Sequence, residues 1–331
     1  MASAAGSTPD RDPIAVAAPE TAPRQAARGQ RPPSDPAVNG RARRAWRDRM
    51  VIAGFLLPAL LVYAVFVLWP ILNSFYFSTL DWNGVGQPVQ VGLGNFRELV
   101  SDRAAWEALW HNIVLIAVSL VVQLPVGLAL ALLLLAPIRG TKVLRTIYFL
   151  PLLMSTVAIG ILWSFIYNPT FGVVNRVLET VGLEALRQGW LGQPSTALAS
   201  VIVVICWQFI PFYMILYRAG LTSIPNEINE AAVVDGAASW PRFRFITLPL
   251  LRSTTRTAVV LSVIGSLRYF DLIWVMTRGG NSTEVLATYM YSQAFSSSRL
   301  GYGSAVAVAL FVVAMVVTVL VLSRLRGAQE Y

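Results

Sequence analysis

Arg268 and Asp271 stand three residues apart inside the otherwise apolar stretch 257–277. On a helix that spacing puts them on one face, and ionisable groups at membrane depth face a bundle interior or a water-filled cavity. Such a pair either anchors helices to one another or lines a path for a solute. Covalent chemistry has little to work with. His111 is the only histidine and Cys206 the only cysteine, which leaves no metal-ligand set, disulfide framework or nucleophile–histidine relay. His111 reads as a boundary residue and Cys206 as a small buried hydrophobe. The only lysine, Lys142, follows Thr141 without the second glycine of a phosphate-binding loop. Any ATP hydrolysis therefore belongs to a separate subunit.

A second group of chemically active residues lies in 223–249. Glu227, Glu230 and Asp235 surround a small apolar face of Ile228, Ala231 and Ala232. Small side chains allow close approach, and carboxylates offer charge-assisted contacts to arginine. Helices that lie on a bilayer surface are usually Lys/Arg-rich; this one is acidic, so it reads as a knob for a groove on another protein. Its grammar is two short helices. Ser223 can cap the first, with Pro225 in its first turn, and Gly236 can end it in a left-handed conformation. Ser239 can cap the second, with Pro241 in its first turn, and that helix stops before Pro249.

The elements that position these residues are membrane spans. Of the 331 residues, 56% are hydrophobic and 13% charged, against about 25% charged in soluble domains; the mean hydropathy is +0.60. Apolar stretches of the ~20 residues that a bilayer requires place helices at about 51–78, 112–136, 146–168, 197–217, 257–277 and 302–323. The reading is an all-α polytopic membrane protein with six transmembrane helices. Residues 1–45 form a disordered N-terminal tail and 46–326 the transmembrane domain. With the N-terminus cytoplasmic, fifteen basic residues flank the spans on that side and six, Arg97, Arg103, Arg176, Arg187, Arg278 and Arg299, on the other; positive-inside asymmetry then puts both termini in the cytoplasm. The same placement explains the net charge of +9 without nucleic acid. A short helix over Val173–Thr180 is expected in an outer loop, and Gly127 with Ala131 in a helix contact.

Within 223–249, Glu230-Ala231-Ala232, three residues, Gly236, nine residues, and Ile246-x-Leu248-Pro249 resemble the EAA motif of binding-protein-dependent ABC importer permeases. Val91-Gly-Leu-Gly-Asn-Phe96 with Asn112, Leu144–Pro151, Phe171-Gly-Val-Val-Asn175 and Phe270–Thr277 resemble the carbohydrate branch of that family, the maltose, lactose and glycerol-3-phosphate type. The similarity covers roughly 50–325. It departs after Thr277-Arg-Gly-Gly280, where the family often has proline and this chain has Asn281. The resemblance implies a type I ABC importer permease in the bacterial cytoplasmic (inner) membrane, and no enzyme. Glu230, Ala231, Ala232, Asp235, Gly236, Ile246, Leu248 and Pro249 would couple to the ATPase. The partners implied are a second homologous permease, two ATPase subunits that hold ATP and Mg, an extracytoplasmic solute-binding protein and the lipid bilayer. This chain would bind no cofactor or metal. Arg268, Tyr269, Asp271, Trp163, Trp207 and Tyr213 are candidates for the substrate pathway, the aromatics as platforms for sugar rings. Import of glycerol-3-phosphate or a polyol is the alternative within the family, and a channel or receptor without an ATPase the alternative outside it.

Overall fold

The computed structural model describes residues 36–135 and 140–326; residues 1–35 of the expected tail lie outside them. The helices are α1 (Pro36–Tyr63), α2 (Trp69–Phe77), α3 (Gly94–Ser101), α4 (Arg103–Val118), α5 (Leu124–Leu133), α6 (Thr141–Leu153), α7 (Thr156–Ile166) and α8 (Val173–Thr180). They continue as α9 (Pro194–Thr222), α10 (Asn226–Val234), α11 (Ser239–Arg242), α12 (Leu248–Leu250), α13 (Arg252–Leu267), α14 (Asp271–Thr277), α15 (Leu286–Tyr291) and α16 (Leu300–Arg326). One small antiparallel ladder pairs β1 (Leu80–Asp81) with β2 (Val89–Gln90). The chain divides into two units, one ending at Val62 and the other beginning at Tyr63; the packing described below lies in the second. Residues 36–45, assigned from sequence to the tail, are the first turns of α1. Their alanines and arginines favour a helix.

Among the described residues, four helices are long and apolar enough to cross a membrane: Met50–Phe77, Arg103–Leu133, Pro194–Thr222 and Leu300–Ser323. Two more spans exist if each of two bent pairs counts as one, Val143–Leu153 with Thr156–Ile166 at 101° and Arg252–Leu267 with Asp271–Thr277 at 40°. The first bend divides the span placed at about 146–168 into two helices. Pro151 leaves α6 one hydrogen bond short, and Met154 and Ser155 are extended. The second span starts at Arg103 rather than 112, because the Asp102 carboxylate accepts from the Ala104 N–H at 2.9 Å and caps the helix there.

Proline inside these helices follows one rule in three places. Wide π turns at Ala64–Leu68, Ser119–Gln123 and Phe243–Thr247 end two residues before Pro70, Pro125 and Pro249. A proline ring collides with the carbonyl four residues back, and in each case that carbonyl belongs to the π turn. The extra width of the turn removes the collision without breaking the helix.

Helices α4, α7, α9 and α14 share the largest core, with Leu115, Ile159, Val201, Val204, Ile205, Leu272 and Ile273 buried. Gly127 on α5 lets α9 approach so closely that a Cβ there would lie 2.8 Å from the Tyr213 Cβ and 3.1 Å from the Met214 nitrogen. Polar groups bind the helices in pairs. Ser262 Oγ donates to Ser119 Oγ at 2.6 Å, and Ser119 donates in turn to Gln123 Oε1 at 3.0 Å. Asn112 donates to the Ser266 carbonyl at 3.1 Å and accepts from the Leu286 N–H at 3.0 Å, so one side chain joins α4, α13 and α15.

Candidate functional site

The chain unwinds between α13 and α14, and Arg268, Tyr269 and Phe270 occupy the break. Arg268 and Asp271 therefore do not share a face of one continuous helix, as their spacing suggested, and among the described residues no ion pair joins them. Irregular backbone at membrane depth is tolerated where it is enclosed by protein or lines a cavity. A cavity of about 470 Å³ does lie here, with Arg268, Tyr269, Asp271, Phe209, Phe212 and Tyr213 in its wall. Phe209 and Tyr269 pack at 5.6 Å between ring centroids, and Phe212 meets Tyr213 edge-on at 5.3 Å. With Phe270 also in the wall, the cavity offers one guanidinium, one carboxylate, two phenols and three apolar rings. Four of the six pathway residues named from sequence come together here. The other two do not. Trp163 and Trp207 pair with each other at 5.6 Å, and Trp163 packs against the α7–α9 core; sequence alone gives no way to tell a core indole from a pathway indole.

The acidic segment folds as two short arms. In α10 the residues Glu227, Glu230, Ala231, Val233, Val234 and Asp235 are exposed, whereas Ala232 is 5% exposed. Of the apolar face read from sequence, Ile228 and Ala231 are exposed and Ala232 turns inward; Val233 and Val234 also face out, together with Trp240 and Phe245 of the second arm. Gly236 takes φ 78°, and the Gly236 and Ala237 N–H groups donate to the Val233 and Ala232 carbonyls at 3.0 and 2.9 Å. This paired closure needs a left-handed residue. Ser223 is not the cap of α10. Its hydroxyl donates to the Gly220 carbonyl at 2.8 Å and closes α9, while Pro225 precedes α10. Ser239 is likewise the first residue of α11, after an uncapped Ala238. The second arm does not stop before Pro249; the π turn carries it through to Leu250. Ile246, Leu248 and Pro249 are half-buried, so they root the arm while Glu230, Ala231, Asp235 and Gly236 stand clear of the chain.

Three asparagines in the similarity motifs prove to be structural ties. Asn95 donates to the Ser78 and Leu80 carbonyls at 2.9 and 2.8 Å. Asn175 donates to the Gln188 carbonyl at 3.0 Å and accepts from Trp190 Nε1 at 2.8 Å. Asn112 is the three-helix tie described above. At the departure from the family pattern, Asn281 has φ 55°, a conformation closed to proline, and its amide donates to the Leu191 carbonyl at 2.8 Å.

A polar cluster at the same end of the bundle escaped sequence reading. Arg299 Nη2 donates to both carboxylate oxygens of Glu98 at 2.7 Å, and the Arg299 guanidinium lies 4.5 Å from the Tyr302 ring centre. Tyr289 and Tyr302 both donate to the Asp102 carboxylate. Burial by itself would raise that carboxyl, but the two phenols and the Ala104 and Ala105 amides hold it below its usual value. Burial also pushes Glu284 up to about 7, and the nearby Asp102 charge adds to the rise. His111 Nδ1 lies 2.6 Å from the Glu284 carbonyl oxygen, which gives the boundary histidine a structural job. The partners in this cluster are 173 to 201 residues apart, and only the fold brings them together.

Apolar spans around a polar cavity at a helix break, with an exposed two-armed helix segment at one end, define a membrane permease. The chain belongs to the family described as binding-protein-dependent transport system inner membrane component, whose profile matches residues 123–328. A probable ABC transporter permease of Pyrococcus horikoshii is 39% identical over 273 residues, covering 82% of this chain and 94% of that one. The trehalose/maltose transport system permease protein MalF of Thermococcus litoralis is 32% identical, with coverages of 81% and 90%. Among solved structures, a chain of a bacterial ABC transporter involved in import of the acidic polysaccharide alginate superposes with a TM-score of 0.77 at 26% identity, covering 87% of this chain and all of that one. The same kind of transporter has also been solved in complex with its alginate pentasaccharide-bound periplasmic protein. The family is one of transport permeases rather than enzymes.

Proposed function

We propose that this chain forms half of the translocation pathway of an ATP-driven importer for a sugar or related carbohydrate. The observation that carries the reading is the cavity at the α13–α14 break, where Arg268, Asp271, Tyr213 and Tyr269 converge with Phe209 and Phe212. Aromatic faces suit the apolar faces of sugar rings, and a few convergent polar groups fix hydroxyls. The relatives named for maltose, trehalose and alginate support the same class of solute. The two bent pairs then count as spans five and three, which makes six in all with both termini cytoplasmic, in the bacterial cytoplasmic membrane.

The working assembly adds a second, homologous permease, two ATPase subunits that hold ATP and Mg, and an extracytoplasmic solute-binding protein. Closure of the ATPase pair moves α10–α12 as the docked element, and the helices rooted by Ile246, Leu248 and Pro249 open the cavity outward. Hydrolysis returns it inward. Glu230 pairs with a basic side chain of the ATPase, Ala231 and Ala232 keep the knob narrow, and Asp235 and Gly236 form the turn between its arms. This chain transmits force and lines the path, and binds no cofactor itself.

The test is uptake of labelled disaccharide by proteoliposomes that contain the complete assembly. Arg268→Gln leaves assembly intact and lowers uptake about ten-fold or more, the effect of one lost charge-assisted contact. Undiminished uptake of every saccharide by that variant would remove Arg268 from the path.

A further inference from the structure

A second cavity, also about 470 Å³, lies between α6 and α9 and shares no lining residue with the one at the helix break. Arg145 and Arg218 stand in its wall, and the lining contains no carboxylate. The Nε atom of each guanidinium is buried without a hydrogen-bond partner among the described residues. A buried donor left unpaired is costly, and two guanidinium side chains that line one space with no carboxylate in its wall call for an anion there. Both arginines lie one turn from a helix end, Arg145 near the start of α6 and Arg218 near the finish of α9. That is the end of the spans next to the acidic two-armed segment.

The rest of the cavity grades from polar to apolar. Phe149, Leu150, Leu153 and Ile215 line it away from the arginines, and Leu153 is ~12 Å further along α6 at the usual helical rise. Leu150 and Leu153 are 56% and 67% exposed, so this wall opens sideways on the apolar flank of the span. A cationic mouth at a helix end above an open apolar wall matches one kind of molecule, a phospholipid with an anionic headgroup. Guanidinium forks suit phosphate oxygens, and basic pockets between transmembrane helices recognise such headgroups.

We propose that the α6–α9 cavity is a binding site for an anionic phospholipid, with Arg145 and Arg218 on the phosphate and Phe149, Leu150, Leu153 and Ile215 along the acyl chains. The site rests on the reading that these helices lie in a bilayer and is independent of the solute. It would clamp α6 at its bent, proline-containing end against α9.

The full chain is purified in mild detergent, stripped of lipid, and given phosphatidylglycerol, phosphatidylcholine or inorganic phosphate. Bound lipid is counted by native mass spectrometry. The wild type retains phosphatidylglycerol over phosphatidylcholine by about ten- to thirty-fold, as two arginines near a headgroup imply. R145Q/R218Q loses that preference, and R145K/R218K keeps most of it. Equal retention of both lipids would overturn the proposal. So would an undiminished preference in the Gln variant, which would place the lipid elsewhere. Displacement of phosphatidylglycerol by millimolar inorganic phosphate would make this a free-phosphate site instead. If the Gln variant fails to run as a single species on gel filtration, the wild-type lipid preference and the phosphate competition decide alone. Loss of sugar uptake with lipid retention intact would count against the transport reading and leave this one standing.

Discussion

Glu284 shows how a single carboxyl can carry a pH dependence that its sequence neighbourhood does not announce. It is pushed from 4.5 up to about 7 by burial and by the charge on Asp102. The folded state therefore holds its proton more tightly than the unfolded one. Its contribution is complete below about 4.5, is lost as pH rises to about 7, and is level above that. The thermal midpoint of the detergent-purified chain should fall across that window, and Glu284→Gln should flatten the fall and raise the midpoint at pH 8. A variant whose midpoint still drops as the wild type's does would assign the titration to another group. The residue scale is also where sequence was least legible. Asn95, Asn112 and Asn175 could be picked out as motif positions, but their roles depend on carbonyls and amides 13 to 174 residues away. Trp163 and Tyr213 look alike as aromatic residues in spans, and only the fold puts the buried Tyr213 on the cavity wall and Trp163 away from it.

Helices were more legible than their ends. Hydropathy finds the spans because backbone groups in hydrocarbon must be satisfied within the helix, and Val173–Thr180 stands where its pattern put it. What hydropathy does not carry is direction. The 101° bend after Pro151 and the break at 268–270 leave the apolar count unchanged, so both are silent in a sliding window. Caps misled for a related reason: Ser223 is adjacent to one helix end and one helix start, and its hydroxyl serves the end. The α5–α9 seam offers a test at this scale. Gly127→Val sets a branched side chain against the Tyr213 and Met214 backbone. Overpacking of this kind costs about 1–3 kcal/mol, and the variant should melt several degrees lower, whereas Gly54→Val, with open space at its Cβ, should not. Equal melting of the two variants would refute the close approach.

At the scale of the whole molecule, the separation of the cavity from the acidic arms bears on the proposed mechanism. The polar cavity sits at a break within a span, and the acidic arms stand beyond the end of α9, connected to the cavity through α13. Motion of the arms can reach the cavity only by moving helices as bodies, which fits a force-transmitting subunit. The EAA pattern made the arms legible from sequence, because they form one short contiguous segment. The cavity was legible only in part, since its wall is drawn from α6, α7, α9, α13 and α14 as well as the break. The central claim is that the exposed face around Glu230 is where ATP-driven force enters. Its most direct test is purification of the tagged chain from its own membrane, wild type against Glu230→Arg, with every accompanying chain identified. The wild type should bring down a second permease and an ATPase, and the variant the second permease alone. An ATPase recovered equally with both, or with neither, would contradict the account.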